Sequence, residues 1–584
     1  MFKLRHILLA ALFLQSAVPA SAAEPVKVIV SGVSGDALKN VKAALAVPPA
    51  LVQDGVVNRQ WLERFVSQVP ERARRALEPF GYYDAKIRAD LEQLTEKTWR
   101  IAVTITPGEP VRVAGVSVSL QGPGAGEEGL KKLAEAFPLK QGDILIQARY
   151  EEAKAALRSR AVDSGYLDAA YTVHEIRVAP AEYSAVIELE LQTGQRYFFG
   201  EVRIEGAPRY PEGFVRRYVT IKKGDVFSYA RLGETQLNLA GSERFREVVP
   251  VPEISEARDA HIPVVLRLEE APTRRLRPGV GYETDVGPRF TLEYRDMNVF
   301  DRGQEFHTEL NLSERLKILA AGYVLPDFKD IDGSTALQTR LRREDVSAYT
   351  SEAATAEAIR TRGFGRGRTG AAYLRVERED STVGQVLVRS FLVLPGLRFS
   401  VRRFDNPVRP NRGHYYSVDL SGTDEALGSN TRFSRVVAEG GLLTRLSPRL
   451  LLSTRARAGS TFLNAPVSTL PVSYRFFAGG DRSVRGYAYQ SLGPRDAAGG
   501  LVGGKNLLSG SVELERALFT KWAAAVFYDA GNAFDAPGRV RLFQGAGVGG
   551  RYYSVIGALR LDLARQLAVP SPAYRVHFTV GFAF

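Results

Sequence analysis

Six imidazoles, His6, His174, His261, His307, His414 and His577, are all this chain offers for a nitrogen-ligated metal or for histidine acid–base chemistry, and no two stand at metal-ligand spacing. Cysteine is absent from the 584 residues, which excludes disulfides, zinc–thiolate sites and thiol nucleophiles. No serine sits on a G-x-S-x-G elbow. Two glycine clusters imitate nucleotide loops. In the first, Gly499, Gly504 and Lys505 are followed by Asn506 where Ser or Thr would hold magnesium, and Gly510-Ser511-Val512-Glu513-Leu514 continues as a strand. In the second, Gly545, Gly547 and Gly550 lead into Arg551-Tyr552-Tyr553 and not into a helix, so these glycines are expected to let a strand bend. The residues predict a protein that is not an enzyme and holds no metal and no cofactor.

What remains is arginine. Residues 274–584 hold 43 basic and 30 acidic residues, 39 of the basic ones arginine, whereas residues 23–273 hold 33 and 35. Arginine's planar fork suits carboxylate and phosphate partners, in a polar barrel interior or on lipid phosphates. Nucleic acid is not expected, because the chain reads as exported. Lys3, Arg5 and His6 precede the apolar run Ile7–Leu14, and Ala20-Ser21-Ala22 follows, which predicts a signal peptide over residues 1–22. No later apolar run reaches the roughly 18 residues of a membrane helix, which leaves a β-barrel as the spanning option.

The first half must position whatever chemistry exists through a repeat. Three short strands end near a glycine, Val26–Gly32, Val111–Gly122 and Phe199–Gly206. Three alternating strands close the copies, with Ile101, Val103 and Ile105; Ile187, Leu189 and Leu191; and Ile262, Val264, Leu266 and Leu268. Helical stripes lie between; in the first copy Trp61, Phe65, Val69, Ala73, Leu77 and Phe80 recur every three or four residues. Gly142-Asp143 recurs as Gly224-Asp225, 82 residues on. The period predicts three β-α-α-β-β modules, at residues 23–108, 109–195 and 196–273. Their sheet edges could accept an extended peptide, or the modules could be rigid spacers.

From residue 274 helical spacing gives way to alternating segments of about ten residues. The end is the sharpest case, with Tyr574, Val576, Phe578, Val580, Phe582 and Phe584 on one face and Arg575, His577, Thr579, Gly581 and Ala583 on the other. The fold class expected is α+β repeats followed by a closed transmembrane antiparallel barrel of about 16 strands over residues 274–584.

Within that half stand Arg475-Phe476-Phe477-Ala478-Gly479-Gly480-Asp481-Arg482-Ser483-Val484-Arg485-Gly486-Tyr487 and Val526-Phe527-Tyr528-Asp529-Ala530-Gly531-Asn532. Together they resemble the signature of the outer-membrane assembly superfamily, whose members carry POTRA domains before a sixteen-stranded barrel. Asp405-Asn406-Pro407 leading to Gly413, Leu559-Arg560-Leu561-Asp562-Leu563-Ala564 and the terminal Gly581-Phe582-Ala583-Phe584 match in the same order, so the resemblance covers residues 24–584. Three modules and the stretch Arg277–Arg289 look like the TamA branch; the BamA branch has five POTRA domains.

The resemblance implies that the sixth extracellular loop, with Val484, Arg485, Gly486 and Tyr487, folds into the lumen. There Arg485 would meet Asp529 on a strand that also carries Phe527 and Gly531; otherwise it stands solvated and contributes little. It also implies a weak lateral seam between a first strand near Val280–Tyr294, with Gly279, Gly281 and Tyr282, and a last strand with Gly581, Phe582 and Phe584. The seam glycines would weaken packing or accommodate curvature. The function implied is an outer-membrane assembly factor that helps insert and translocate autotransporters and other barrel proteins. Its implied partners are unfolded clients, outer-membrane lipid and a TamB-like inner-membrane-anchored protein, with the POTRA domains in the periplasm. A two-partner secretion transporter or general insertase is the alternative, and a passive diffusion channel is the rival of another class.

Overall fold

The computed structural model describes residues 25–583 apart from 54–55, 97, 407–409, 537, 539 and 555–556; the expected signal peptide, Pro407 and Phe584 lie outside the described residues. Module one opens with β1 (Val26–Ser31) and α1 (Gly35–Ala44). A short hairpin, β2 (Val52–Gln53) and β3 (Val56–Val57), leads to α2 (Arg59–Leu77), then β4 (Lys86–Thr95) and β5 (Thr98–Thr106). Asn58 caps α2, its side chain accepting from the Trp61 N–H at 3.2 Å. The buried face of α2 is Leu62, Phe65, Val69, Ala73, Ala76 and Leu77, which pack with Ile101, Val103 and Ile105 of β5. Trp61 departs from the expected stripe and is 56% exposed. At about 100° per residue it falls at the rim of the face, and Leu62 takes the inward position.

Module two repeats the order with β6 (Arg112–Gln121), α3 (Glu128–Glu135), α4 (Gln147–Asp163), β7 (Ala170–Ala179) and β8 (Ser184–Gln192). Module three has β9 (Phe198–Glu205), α5 (Glu212–Arg216), α6 (Tyr229–Gly241), β10 (Phe245–Pro252) and β11 (His261–Glu270). The sheets run β1-β5-β4, β6-β8-β7 and β10-β11-β9. The closing strand is central each time, which explains why these strands carry the most regular apolar alternation. The chain divides into two compact units. One extends through Glu201 and takes in Lys222–Arg231 and Pro252–Val264, and the other holds Val202–Ile221, Leu232–Val251 and the remainder from Val265.

Sixteen strands then close a barrel: β12 (Arg274–Glu283), β13 (Gly287–Val299), β14 (Gln304–Ser313), β15 (Leu316–Pro326), β16 (Ser334–Val346), β17 (Tyr349–Gly363), β18 (Arg368–Val383), β19 (Val386–Phe404), β20 (Gly413–Thr423), β21 (Phe433–Ser447), β22 (Leu450–Phe462), β23 (Asn506–Ala517), β24 (Trp522–Phe534), β25 (Phe543–Tyr553), β26 (Ala558–Leu567) and β27 (Tyr574–Ala583). Each pairs antiparallel with the next, and β27 pairs back to β12. Alternation hides the apolar surface. Along β24, Val526 and Tyr528 point outward and are half exposed, while Ala525, Phe527 and Asp529 are buried inside. An outward apolar band with a polar interior is the pattern lipid requires. At one rim Trp522 and Tyr552 bring their rings to 4.7 Å, as in an aromatic girdle.

Two expectations change. Val280–Tyr294 is not one strand: it holds the end of β12, a turn at 284–286 and the start of β13, because Thr284-Asp285-Val286 before Gly287 (φ 85°) reverses the chain. Strands also exceed ten residues, β17 to β19 reaching 15, 16 and 19, and together they make a tall wall.

Candidate functional site: loop six and the seam

Loop six, residues 463–505, joins β22 to β23 and packs inside the barrel. Val484 and Tyr487 share an apolar cluster with Phe476, Ala478, Leu492, Leu507 and Ala533. Arg485 is 4% exposed, and every N–H of its guanidinium has a partner. Nε and Nη2 donate to the two oxygens of Asp529 at 2.7 and 2.9 Å. Nη1 donates to Glu513 at 2.7 Å and Asp562 at 3.1 Å, and Nη2 to the Ser511 hydroxyl at 3.3 Å. Its backbone N–H also reaches Asp529, at 3.0 Å. The guanidinium carbon stands 3.4 Å from the Phe527 ring centroid, so one face is covered by an aromatic ring.

Arg551 completes the network, donating to Glu513 at 2.9 Å and to Asp562. Three carboxylates therefore share two guanidinium groups. Four strands, β23 to β26, contribute through alternate inward positions. Glu513, Arg551 and Asp562 are the residues that sequence reasoning missed. Their signal was present: each is a charged residue on an inward position of an alternating strand.

The glycines of β25 serve this loop. A Cβ on Gly545 would land on the Arg485 carbonyl oxygen, and one on Gly547 would strike the Leu563 carbonyl and the Phe527 ring. Gly549 leaves room for the Asp562 carboxylate. At Gly545 and Gly547 the requirement is close approach of a neighbouring segment, whereas a Cβ on Gly550 would meet nothing within 4 Å. Elsewhere Arg475 braces the loop from within, donating to the carbonyls of Leu470 (2.8 Å), Val502 (3.1 Å) and Ser468 (2.9 Å). On the tall wall Glu379 accepts from the Val472 N–H at 2.9 Å, and on neighbouring β16 Glu344 accepts from the Tyr489 hydroxyl at 3.1 Å.

The seam is asymmetric. β12 and β27 pair over five positions, Gly279–Ala583, Val280–Phe582, Gly281–Gly581, Tyr282–Val580 and Glu283–Thr579. Among the described residues, positions 274–278 of β12 pair only with β13. Tyr282 therefore faces Val580, and Phe582 lies across from Val280. At the turn end Thr284 staples the seam: its N–H donates to the Phe578 carbonyl at 3.1 Å, and the Phe578 N–H donates to its hydroxyl at 2.8 Å.

Loop six touches this staple. The Asp481 N–H donates to Asp285 Oδ2 at 2.7 Å, and the Asp481 carboxylate meets His577 Nδ1 and, at 3.4 Å, the Thr579 hydroxyl. His577 Nε2 accepts from the Gly486 N–H at 2.9 Å, so the ring's proton sits on Nδ1. Asp285 lies in the turn between β12 and β13, outside the spanning strands. Burial and then the Asp481 charge push its carboxyl up to about 7, against the pull of the Asp481 N–H, His577 and Arg575.

Residues 298–584 match the Omp85 superfamily domain. Residues 27–107 match the POTRA domain described as TamA domain 1, and residues 197–271 match the POTRA family described as a surface antigen variable number repeat. The chain carries an Omp85 superfamily domain behind POTRA modules. Among relatives, the outer membrane protein assembly factor BamA of Nitratidesulfovibrio vulgaris is 24% identical over 426 residues, 68% of this chain and 52% of that protein. A putative outer membrane protein assembly factor of Treponema pallidum is 24% identical over 258 residues, 42% of this chain and 30% of that protein. The chain thus spans about half of the first relative and less of the second. In fold it is similar to BamA from Haemophilus ducreyi lacking POTRA domains 1–3, with TM-score 0.65 at 16% identity over 81% of this chain and 100% of that one. CdiB from Escherichia coli gives TM-score 0.51 at 14% identity over 95% and 100%.

The Omp85 barrel lies in an outer membrane with its POTRA modules in the periplasm. The module end of the barrel is the periplasmic end, where β12 begins. Helix α5 meets the barrel's periplasmic turns directly. Arg217 donates to the carbonyls of Asp330 and Ile331, and the Phe214 and Phe328 rings meet edge to face at 6.4 Å. Asn298 donates to the Arg209 carbonyl at 2.9 Å, and Arg275 to Glu243 at 2.6 Å. Part of the Omp85 barrel's arginine excess lines the lumen, where Arg340, Arg342, Arg375 and Arg435 border a cavity of about 360 Å³ with Glu357 and Glu377.

Proposed function

We propose that this chain is an outer-membrane assembly factor of the TamA type. It inserts and translocates autotransporters and other β-barrel clients, which the POTRA modules receive and the lateral seam admits. The observation that carries the reading is the thin packing of the seam: Gly281 of β12 stands opposite Gly581 of β27, a pair with no side chains to pack across it, while the loop end is stapled by Thr284 and loop six. Unpaired N–H and C=O groups on an edge strand accept an incoming strand by β-augmentation. Burial of the client's apolar face in lipid then drives the step without a bound energy source or a catalytic group. The POTRA domain of TamA domain 1 type at residues 27–107 favours the TamA branch, and with it a TamB-like inner-membrane-anchored partner and contacts to outer-membrane lipid.

A packed loop six argues against the passive channel, since a lumen held by Arg485 on one wall and by Glu379 on the other conducts poorly. Depletion of the protein followed by an inventory of outer-membrane proteins tests the role. Loss of a few large autotransporters supports it, collapse of all barrels points to a general insertase, and loss of one secreted client points to a dedicated transporter.

A further inference from the structure

We propose that Asp285, Asp481 and His577 form a divalent-cation site, of the kind Zn2+ occupies, that ties the first hairpin, loop six and the last strand together at the extracellular end of the seam. One ligand atom from each residue lies within 4.8 Å of the other two. The three come from separate elements, the β12–β13 turn, loop six and β27, so no sequence spacing announces them.

Two carboxylates and an imidazole are a ligand set for Zn2+, with water in the fourth position. Ligand atoms around a tetrahedral zinc at about 2.0–2.2 Å stand roughly 3.4 Å apart, so these side chains are already gathered near coordination distance. A second observation points to a missing partner. Asp285 is 5% exposed, yet its Oδ1 has no hydrogen-bond partner, although burial without one is costly. Gly480, at φ 102°, faces this carboxylate: a Cβ there would stand 3.0 Å from Oδ1, so the glycine keeps the approach open. Thr579 supports the Asp481 carboxylate from outside, as outer-shell hydroxyls do in metal sites. Asp481, whose side chain is 16% exposed against 2% for His577, is the route of entry.

Zn2+ takes His577 Nδ1, the proton there moves to Nε2, and the Gly486 N–H loses its acceptor. A cation therefore strengthens the staple between strands while loosening one contact of the loop motif. The metal probe is independent of assembly activity, so failure here leaves the proposed function standing, and the reverse holds.

The test uses the full chain in detergent, stripped by chelator and checked for folding by heat-modifiable gel mobility, then titrated with Zn2+. One saturable equivalent is expected, at least tenfold weaker in Asp285→Asn and His577→Gln and unchanged in His414→Gln. X-ray absorption on the wild-type zinc complex should show one imidazole nitrogen among oxygen ligands, a readout that survives if a variant does not fold. Absence of saturable binding by folded wild type, a zinc shell without imidazole, or equal affinity in His577→Gln would overturn the site.

Discussion

Arg485 reaches from loop six to grip both oxygens of Asp529 on β24, at 2.7 and 2.9 Å, with its remaining donors taken by Glu513, Asp562 and Ser511. Removing it leaves Glu513 and Asp562 to Arg551 and takes from buried Asp529 the guanidinium that grips it. Breaking a buried ion pair costs about 3–5 kcal/mol. Arg485→Ala is expected to lower the unfolding free energy by a comparable amount, to expose residues 463–505 to protease and to raise single-channel conductance. Arg485→Lys restores the charge but not the fork, so it should recover only part of the loss. Conductance equal to wild type in Arg485→Ala would show that another contact holds the loop.

Gly545 offers a cleaner probe of loop seating because it touches the loop's backbone and none of its charges. A side chain there collides with the Arg485 carbonyl. Gly545→Val should therefore fold into a barrel with normal heat-modifiable mobility while loop six becomes protease-sensitive, a phenotype resembling Arg485→Ala. A protected loop in this variant would mean that β25 shifts to make room.

Arg217 and Phe214 link α5 to the turn at residues 327–333. Arg217→Ala removes two donors to backbone carbonyls, each worth about 1.5–3 kcal/mol for a charged donor. Amide exchange across residues 327–333 is expected to accelerate in this variant while exchange in β18 and β19 stays unchanged. Uniform acceleration throughout the barrel would instead indicate global destabilisation.

Much of this was legible in the chain itself. Period-two alternation identifies β5, β8, β11 and β27, and helical spacing identifies α2, because lipid and core each select one face. Glu513 and Asp562 were less visible as partners of Arg485, since their strands are distant in sequence and only barrel closure and loop insertion bring them to one guanidinium. Trp61 shows a similar limit: a residue at the rim of a helical stripe is assigned by packing, not by period. The seam register, Tyr282 against Val580, was hidden for another reason. Slipping a strand by two residues keeps every face, so alternation fixes the face of a strand and leaves its register to the turn at 284–286.

The central claim is that the seam between β12 and β27 opens to admit client strands. The chain contains no cysteine, so a pair at Tyr282→Cys and Val580→Cys, directly opposite in the antiparallel register, forms the only possible disulfide. Opposed Cα atoms in such a pair lie about 4.5–5.5 Å apart, within disulfide range. The measurement is assembly of an autotransporter by the reconstituted double variant, with the cross-link quantified by mass spectrometry, before and after reduction. The account predicts that assembly stops in the locked barrel and returns on reduction. Undiminished assembly by a fully cross-linked barrel would contradict it.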